Sequence, residues 1–155
     1  MLKKTNLNLF FLIIIALAVM LSCPQSILAD DDEDDRLFFE DAFDELKINT
    51  KVSTFKDGLE LMNYLNQEDS ILPKILFLDL NMPKKSGIEC LTEIKKVDRL
   101  KDIAIVIYST SASEEDIENT FVLGANVYIK KPNNFKKLKK VLSNVVTINW
   151  QYQTS

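Results

Sequence analysis

The chain has 155 residues, 46% apolar and 27% charged, with three Gly and four Pro, a composition that fits one globular domain and excludes collagen, low-complexity disorder and a disulfide mini-scaffold. It contains no histidine, which excludes His-based triads, His-containing zinc or haem sites and service as a phosphohistidine carrier. With 19 basic and 23 acidic residues the net charge is -4, so no nucleic-acid partner is expected, because such binding works by neutralising phosphates. Cys23 and Cys90 are far apart and form no CxxC, and they read as free thiols in a reducing compartment.

In chain order, residues 9–21, LFFLIIIALAVML, form an unbroken apolar run behind Lys3 and Lys4. As a helix at ~1.5 Å per residue such a run covers only ~20 Å, short of a ~30 Å hydrocarbon core, and it matches the h-region of a signal peptide in length and flank. Residues 1–23 are therefore an apolar leader, either signal- or anchor-like or the product of a start misassigned upstream of Met20. Ser26 to Ala29 then reads as a buried strand, followed by an amphipathic helix from Asp34 with Phe39, Ala42, Phe43 and Leu46 inward. Val52 to Phe55 is a second strand, and residues 57–68 a helix burying Leu61, Met62 and Leu65. Residues 74–78, KILFL, have no polar alternation, as suits a strand covered on both faces. A capping box, Ser86 and Glu89, opens a helix to Val97 with Ile88, Leu91 and Ile94 on one stripe. Ile103 to Tyr108 is the most apolar strand; a helix at 113–123, a strand at 127–129 and a helix at 133–146 follow. The last helix turns Phe135, Leu138, Val141, Leu142 and Val145 inward and a lysine-rich face outward.

Five strands, each followed by a helix, predict right-handed crossovers and a doubly wound parallel sheet with helices on both faces. Ligands of such sheets bind beyond the carboxyl ends of the strands. The first strand ends in Asp30-Asp31-Asp32-Glu33-Asp34-Asp35. Most of this run suits a helix N-terminus, but a buried strand aims the first two acids at the crevice. A calcium loop is excluded because Asp35 stands where the turn requires Gly and no helix precedes it. The third strand ends in Asp79, the fourth in Ser109-Thr110 and the fifth in Lys130-Lys131-Pro132. Three carboxylates at one sheet end repel unless a hard cation joins them, which predicts a Mg2+ site. A hydroxyl and an ammonium beside them suit an anion carried on Asp79, and so phosphoryl chemistry on a carboxylate.

Four motifs, LADDDEDD, FLDLNMPKKSG, IVIYSTSAS and GANVYIKKP, resemble those of the receiver domain of bacterial two-component response regulators, the family of the chemotaxis response regulator. The likeness runs over about residues 25–146. It implies a five-stranded flavodoxin-like, CheY-like fold with strand order 2-1-3-4-5 and a receiver domain at 24–146, leaving 147–155 as a tail. It implies that Asp79 is the phosphoacceptor and that Asp30, Asp31, Asp79 and the backbone carbonyl of Asn81 hold Mg2+. By the same likeness Lys131 pairs with the phosphoryl group, Ser109 and Tyr128 form the switch, and the Lys131–Pro132 bond is cis. Lys84-Lys85-Ser86 and Ser111 depart from the family pattern.

The resemblance also implies partners. The donor is a histidine kinase or a histidine phosphotransfer protein, and the output passes to a target protein or a second copy through the face of the fourth helix, fifth strand and fifth helix. The protein then catalyses only its own phosphorylation and dephosphorylation. Two rivals are a phosphorylation-independent receiver that only binds partners and a Mg2+-dependent aspartyl-phosphate hydrolase. The hydrolase needs a second Asp two residues after the nucleophile, where this chain has Asn81. Because the donor kinase is charged from ATP, a cytoplasmic location is expected, with membrane anchoring through residues 9–21 as the alternative.

Overall fold

The structure, a computed structural model, describes residue 12 and residues 24–152; the rest of the apolar leader lies outside the described residues. Strands β1 (Gln25–Ala29), β2 (Lys51–Phe55), β3 (Ile75–Leu78), β4 (Ala104–Ser109) and β5 (Val127–Lys130) alternate with helices α1 (Glu33–Leu46), α2 (Gly58–Leu65), α3 (Gly87–Lys96), α4 (Glu114–Val122) and α5 (Phe135–Tyr152). All pairings are parallel and the order is β2-β1-β3-β4-β5, the doubly wound sheet that the sequence predicts.

The two-residue period of the strands divides the core into two clusters. Ile27, Leu76, Leu78, Ile105 and Ile107 face α2 and α3, where they meet Leu61, Leu65, Leu91 and Ile94. Leu28, Phe77, Val106 and Tyr108 face α1 and α5, against Phe39, Phe43, Leu138 and Leu142. Each fully buried side chain of this kind contributes about 1.5–3 kcal/mol relative to exposure. Phe39 meets Phe43 and Phe77 with ring centroids 4.9 Å apart in both pairs. By contrast, α4 buries only Thr120, so it is the helix least anchored to the sheet.

Several boundaries move for identifiable reasons. Helix α1 starts at Glu33 because the Asp32 carboxylate caps it, accepting from the N–H groups of Asp34 and Asp35. Helix α2 stops at Leu65, short of the expected Glu68, because the Arg99 guanidinium takes the carbonyls of Leu65 at 2.6 Å and Gln67 at 2.7 Å, satisfying acceptors that further helix would have used. Helix α5 continues past Val146 to Tyr152, so residues 147–152 extend the helix instead of forming a separate tail. Among the described residues no helix is long and apolar enough to cross a membrane.

Candidate functional site

Parallel register sets the site. Ala29 of β1 pairs with Leu78 of β3, so the next residues, Asp30 and Asp79, emerge side by side at one end of the sheet. Both stay pinned by backbone: Asp30 N–H donates to the Phe55 carbonyl at 3.0 Å and Asp79 N–H to the Ala29 carbonyl at 2.9 Å. Asp30 is fully buried and Asp79 nearly so, whereas Asp31 is exposed. Carboxylate oxygens of these three residues lie within 4.8 Å of one another. The Asn81 N–H donates to Asp79 Oδ1 at 3.2 Å, which orders the turn after β3. That turn is closed by Gly87, where a Cβ would overlap the Asp79 carbonyl oxygen and sit 2.8 Å from Leu80 Cα.

On the other side, Ser109 of β4 pairs with Lys130 of β5, and Lys131 N–H donates to the Ser109 carbonyl at 2.8 Å. Of the two lysines at the end of β5, Lys130 is exposed and Lys131, the one that the resemblance implies, enters the cluster. Its Nζ lies 2.8 Å from Asp30 Oδ2, 2.8 Å from Asp35 Oδ2 and 2.9 Å from Asp79 Oδ2, and 5.5 Å from the centre of the Tyr108 ring. The resulting cleft, about 550 Å³, is lined by Asp31, Asp35, Asp79, Asn81, Thr110 and Lys131 among others.

Burial pushes the Asp30 carboxyl up to about 6, even though Lys131 and the Asp32 N–H act in the opposite direction. Burial alone would lower the Lys131 ammonium, but its close contacts with the Asp30, Asp35 and Asp79 carboxylates outweigh that and raise it. The Lys131–Asp30 contact is a close ion pair without the alignment of a hydrogen bond, and Asp30 Oδ2 accepts no hydrogen bond. A fully buried carboxylate oxygen that is paired with an ammonium but accepts no aligned hydrogen bond, beside two further carboxylates, fits a hard divalent cation, which oxygen ligands favour.

Ser109 is fully buried, its Oγ accepting the Ser111 N–H at 3.2 Å, while the hydroxyl residue lining the cleft is Thr110. Tyr128 is half-buried against the α2–α3 side of the core and donates its hydroxyl to the Ser111 carbonyl at 3.1 Å. Ser111 in turn donates its own hydroxyl to Asp116 in the first turn of α4 at 2.5 Å. The cis bond expected before Pro132 is not present: the described residues contain no cis peptide. For an X–Pro bond the two isomers differ by only about 0.5–1 kcal/mol, and with the trans bond the Lys131 N–H and Nζ make all the contacts given above.

Sequence reasoning missed three participants. Asp35 binds Lys131, and Arg36 donates to the Asp30 carbonyl at 2.8 Å; neither contact follows a helical i,i+4 spacing, so no local pattern in the sequence signals them. Asp57, buried at the start of α2, caps that helix through the Glu60 N–H and pairs with Lys84 Nζ at 2.5 Å. Lys84 sits at φ 63° in the turn after β3, and the pair ties that turn to α2.

Residues 27–143 match the family described as the response regulator receiver domain. The chain is 34% identical over 123 residues to response regulator Rcp1 of Synechocystis sp., covering 77% of this chain and 84% of the relative. Among solved structures it is similar to the phosphorylated cyanobacterial phytochrome response regulator RcpA, at 35% identity and a TM-score of 0.75, covering 80% of this chain and 91% of the other. It is also similar to the Mn2+-bound form of Rcp1, at 33% identity and a TM-score of 0.72, covering 79% and 91%.

Proposed function

The chain belongs to the response regulator receiver family of two-component signalling, and from that premise we propose that Asp79 accepts a phosphoryl group from a phosphohistidine of a partner protein. The observation that carries this reading is the place of the Asp79 carboxylate, 2.9 Å from the Lys131 ammonium, which also touches the buried carboxylate of Asp30. Because the chain has no histidine, the donor imidazole comes from the partner, a histidine kinase or histidine phosphotransfer protein.

In the transfer an Asp79 oxygen attacks phosphorus in line with the P–N bond. The O–P bond forms as the P–N bond breaks, and the departing imidazole nitrogen keeps the electron pair. Lys131 offsets charge on the phosphoryl oxygens. Asp30, Asp31, Asp79 and the Asn81 carbonyl would hold Mg2+, which supplies further charge neutralisation at those oxygens; the Mn2+-bound relative supports that assignment. An ATP-charged donor places the reaction in the cytoplasm.

The output runs through Ser109 and Tyr128. A phosphoryl group on Asp79 draws the Ser109 hydroxyl away from the Ser111 N–H, and the Ser111 segment carries Tyr128 and the start of α4 with it. The face it reshapes exposes Phe121 and Val122 of α4, the latter 86% exposed, and Val127 of β5. A target protein or a second copy would dock there.

The test is incubation with Mg2+ and a small acyl phosphate, read by intact mass. One phosphate per chain is expected, with none in Asp79→Asn; equal uptake by that variant would overturn the assignment.

A further inference from the structure

Asp35 has no part in the scheme above, yet it makes one of the closest contacts in the site. The Lys131 ammonium has three N–H donors. Its aligned hydrogen bonds go to Asp35 Oδ2 at 2.8 Å and Asp79 Oδ2 at 2.9 Å, while the equally close Asp30 Oδ2 is only an ion-pair neighbour. Asp35 is fixed on α1 because its own N–H donates to the Asp32 cap at 3.2 Å. It stands where the acidic cleft meets a second cavity of about 330 Å³, lined by Phe38, Tyr108, Pro132 and Phe135 among others. The Tyr108 ring bounds the ammonium on that side.

A lysine side chain is a compact charge on a flexible four-carbon stem. The ammonium touches Asp30 and Asp79 as well as Asp35, and without Asp35 all of its charge and donors would go to the two carboxylates whose oxygens a cation needs. We propose that Asp35 is a positioning residue that shares the Lys131 ammonium with the Asp30–Asp79 pair and keeps it from closing fully on those two carboxylates. The two carboxylates are thereby left available to a divalent cation, and the ammonium stays poised for an anion on Asp79. This rests on the phosphoacceptor reading of Asp79. An ordinary surface ion pair would do none of this, and Asp35 is itself one-third exposed; Lys131, however, has only 8% of its side chain exposed, so its end of the contact is largely shielded from water.

The full chain tests this as wild type, Asp35→Asn, Asp35→Glu, Lys131→Ala and the Asp35→Asn/Lys131→Ala double variant. Calorimetric titration with Mg2+ alone gives affinity, and phosphorylation by a small acyl phosphate gives a maximal rate and a half-saturating donor concentration. Asp35→Asn is expected to weaken Mg2+ binding and lower the maximal rate by about three- to tenfold, the scale of one charge-assisted bond discounted for exposure. Donor half-saturation and the thermal midpoint stay close to wild type, and Asp35→Glu recovers most of the loss. In the Lys131→Ala background the Asn substitution changes Mg2+ affinity by less than about twofold, because the effect passes through the ammonium. A loss of the same size in that background means simple removal of charge and overturns the proposal. If the wild type is phosphorylated on Asp79 and Asp35→Asn matches it in both measurements, the proposal alone fails. If the wild type takes up no phosphate, the functional reading and the proposal fall together.

Discussion

Asp30→Asn should stabilise the metal-free protein, although it replaces an acid at the centre of the site by its isosteric amide. Raising the Asp30 carboxyl from 3.8 to about 6 corresponds to about 3 kcal/mol of destabilisation when the group is ionised, at ~1.4 kcal/mol per tenfold change in proton affinity. The amide removes that cost. Lys131 keeps its hydrogen bonds to Asp35 and Asp79, so no ammonium is orphaned. The amide oxygen can face Lys131 or the Asp32 N–H, which now donates to Asp30 Oδ1 at 3.1 Å, but not both, and losing one such bond costs about 1 kcal/mol. The net gain is about 2 kcal/mol, or roughly 4–8 °C in thermal midpoint for a domain of this size.

The pH dependence fixes the cause. A carboxyl whose folded pKa is raised takes up its proton more readily in the folded than in the unfolded chain. Wild-type stability therefore falls as pH rises from about 4 to about 6 and stays reduced above. The advantage of Asp30→Asn is full above pH 6 and reverses below pH 4, where only the lost bond of about 1 kcal/mol remains. Urea unfolding with a chelator present, at pH 4, 5, 6 and 8, measures it. An Asn variant equal to or weaker than wild type at pH 8 would refute the reasoning, as would an advantage independent of pH.

Gly87→Ala should cost about 2–4 kcal/mol in unfolding free energy, the scale of overpacking at a rigid contact, because its Cβ would overlap the Asp79 carbonyl; a change below 0.5 kcal/mol on this scale would mean that the turn gives way freely. Cys90 is fully buried, and burial pushes its thiol up to about 12. In a Cys23→Ser background it should resist aromatic disulfide reagents at pH 8 and react fully in denaturant, and rapid native labelling would contradict its burial. Hydrogen bonds from the Ser111 and Ser113 hydroxyls hold the Asp116 carboxyl below its usual range, so the Ser111 contact should persist to mildly acidic pH. Asp116→Asn should shift the Tyr128 ring resonances while leaving Tyr64 unmoved, and unchanged Tyr128 signals would cut α4 out of the network.

The sheet was legible because its strands carry little else: ILFL and AIVIYS leave no polar face, so the first polar residue beyond each must lie at the strand end. That logic reaches Asp30, Asp79 and the Lys130–Lys131 pair, but not the choice between the two lysines, which rests on the register of β5 against β4. It also misses contacts made from elements distant in sequence. Arg99 ends α2 from the α3–β4 connection, and nothing local to residues 57–68 announces it. The extension of α5 was legible in part, since the run from Val145 to Ile148 continues an apolar spacing, but three turns of amphipathic helix already satisfied the pattern at Val146.

The acidic run after β1 shows why composition alone was a blunt guide to this site. Six consecutive acids repel one another, and a run read as one feature would be either a solvated face or a ligand cluster. The structure divides it by geometry. Asp32 caps α1, Glu33 and Asp34 lie in the first helical turn where the dipole favours negative charge, Asp30 and Asp31 turn into the cleft, and Asp35 meets Lys131. Of this run only Asp30 bears a full cost of burial, and the proposed cation would recover that cost on binding, because a ligand that binds only the folded state stabilises it by RT ln(1 + [L]/Kd). At one hundred times its dissociation constant a cation adds about 2.7 kcal/mol, close to the ~3 kcal/mol that the buried Asp30 charge removes. The charge that makes the metal-free fold weaker is therefore the same charge that would give the proposed cation its hold. Stability and cation affinity at this strand end cannot be improved together by substitution at Asp30.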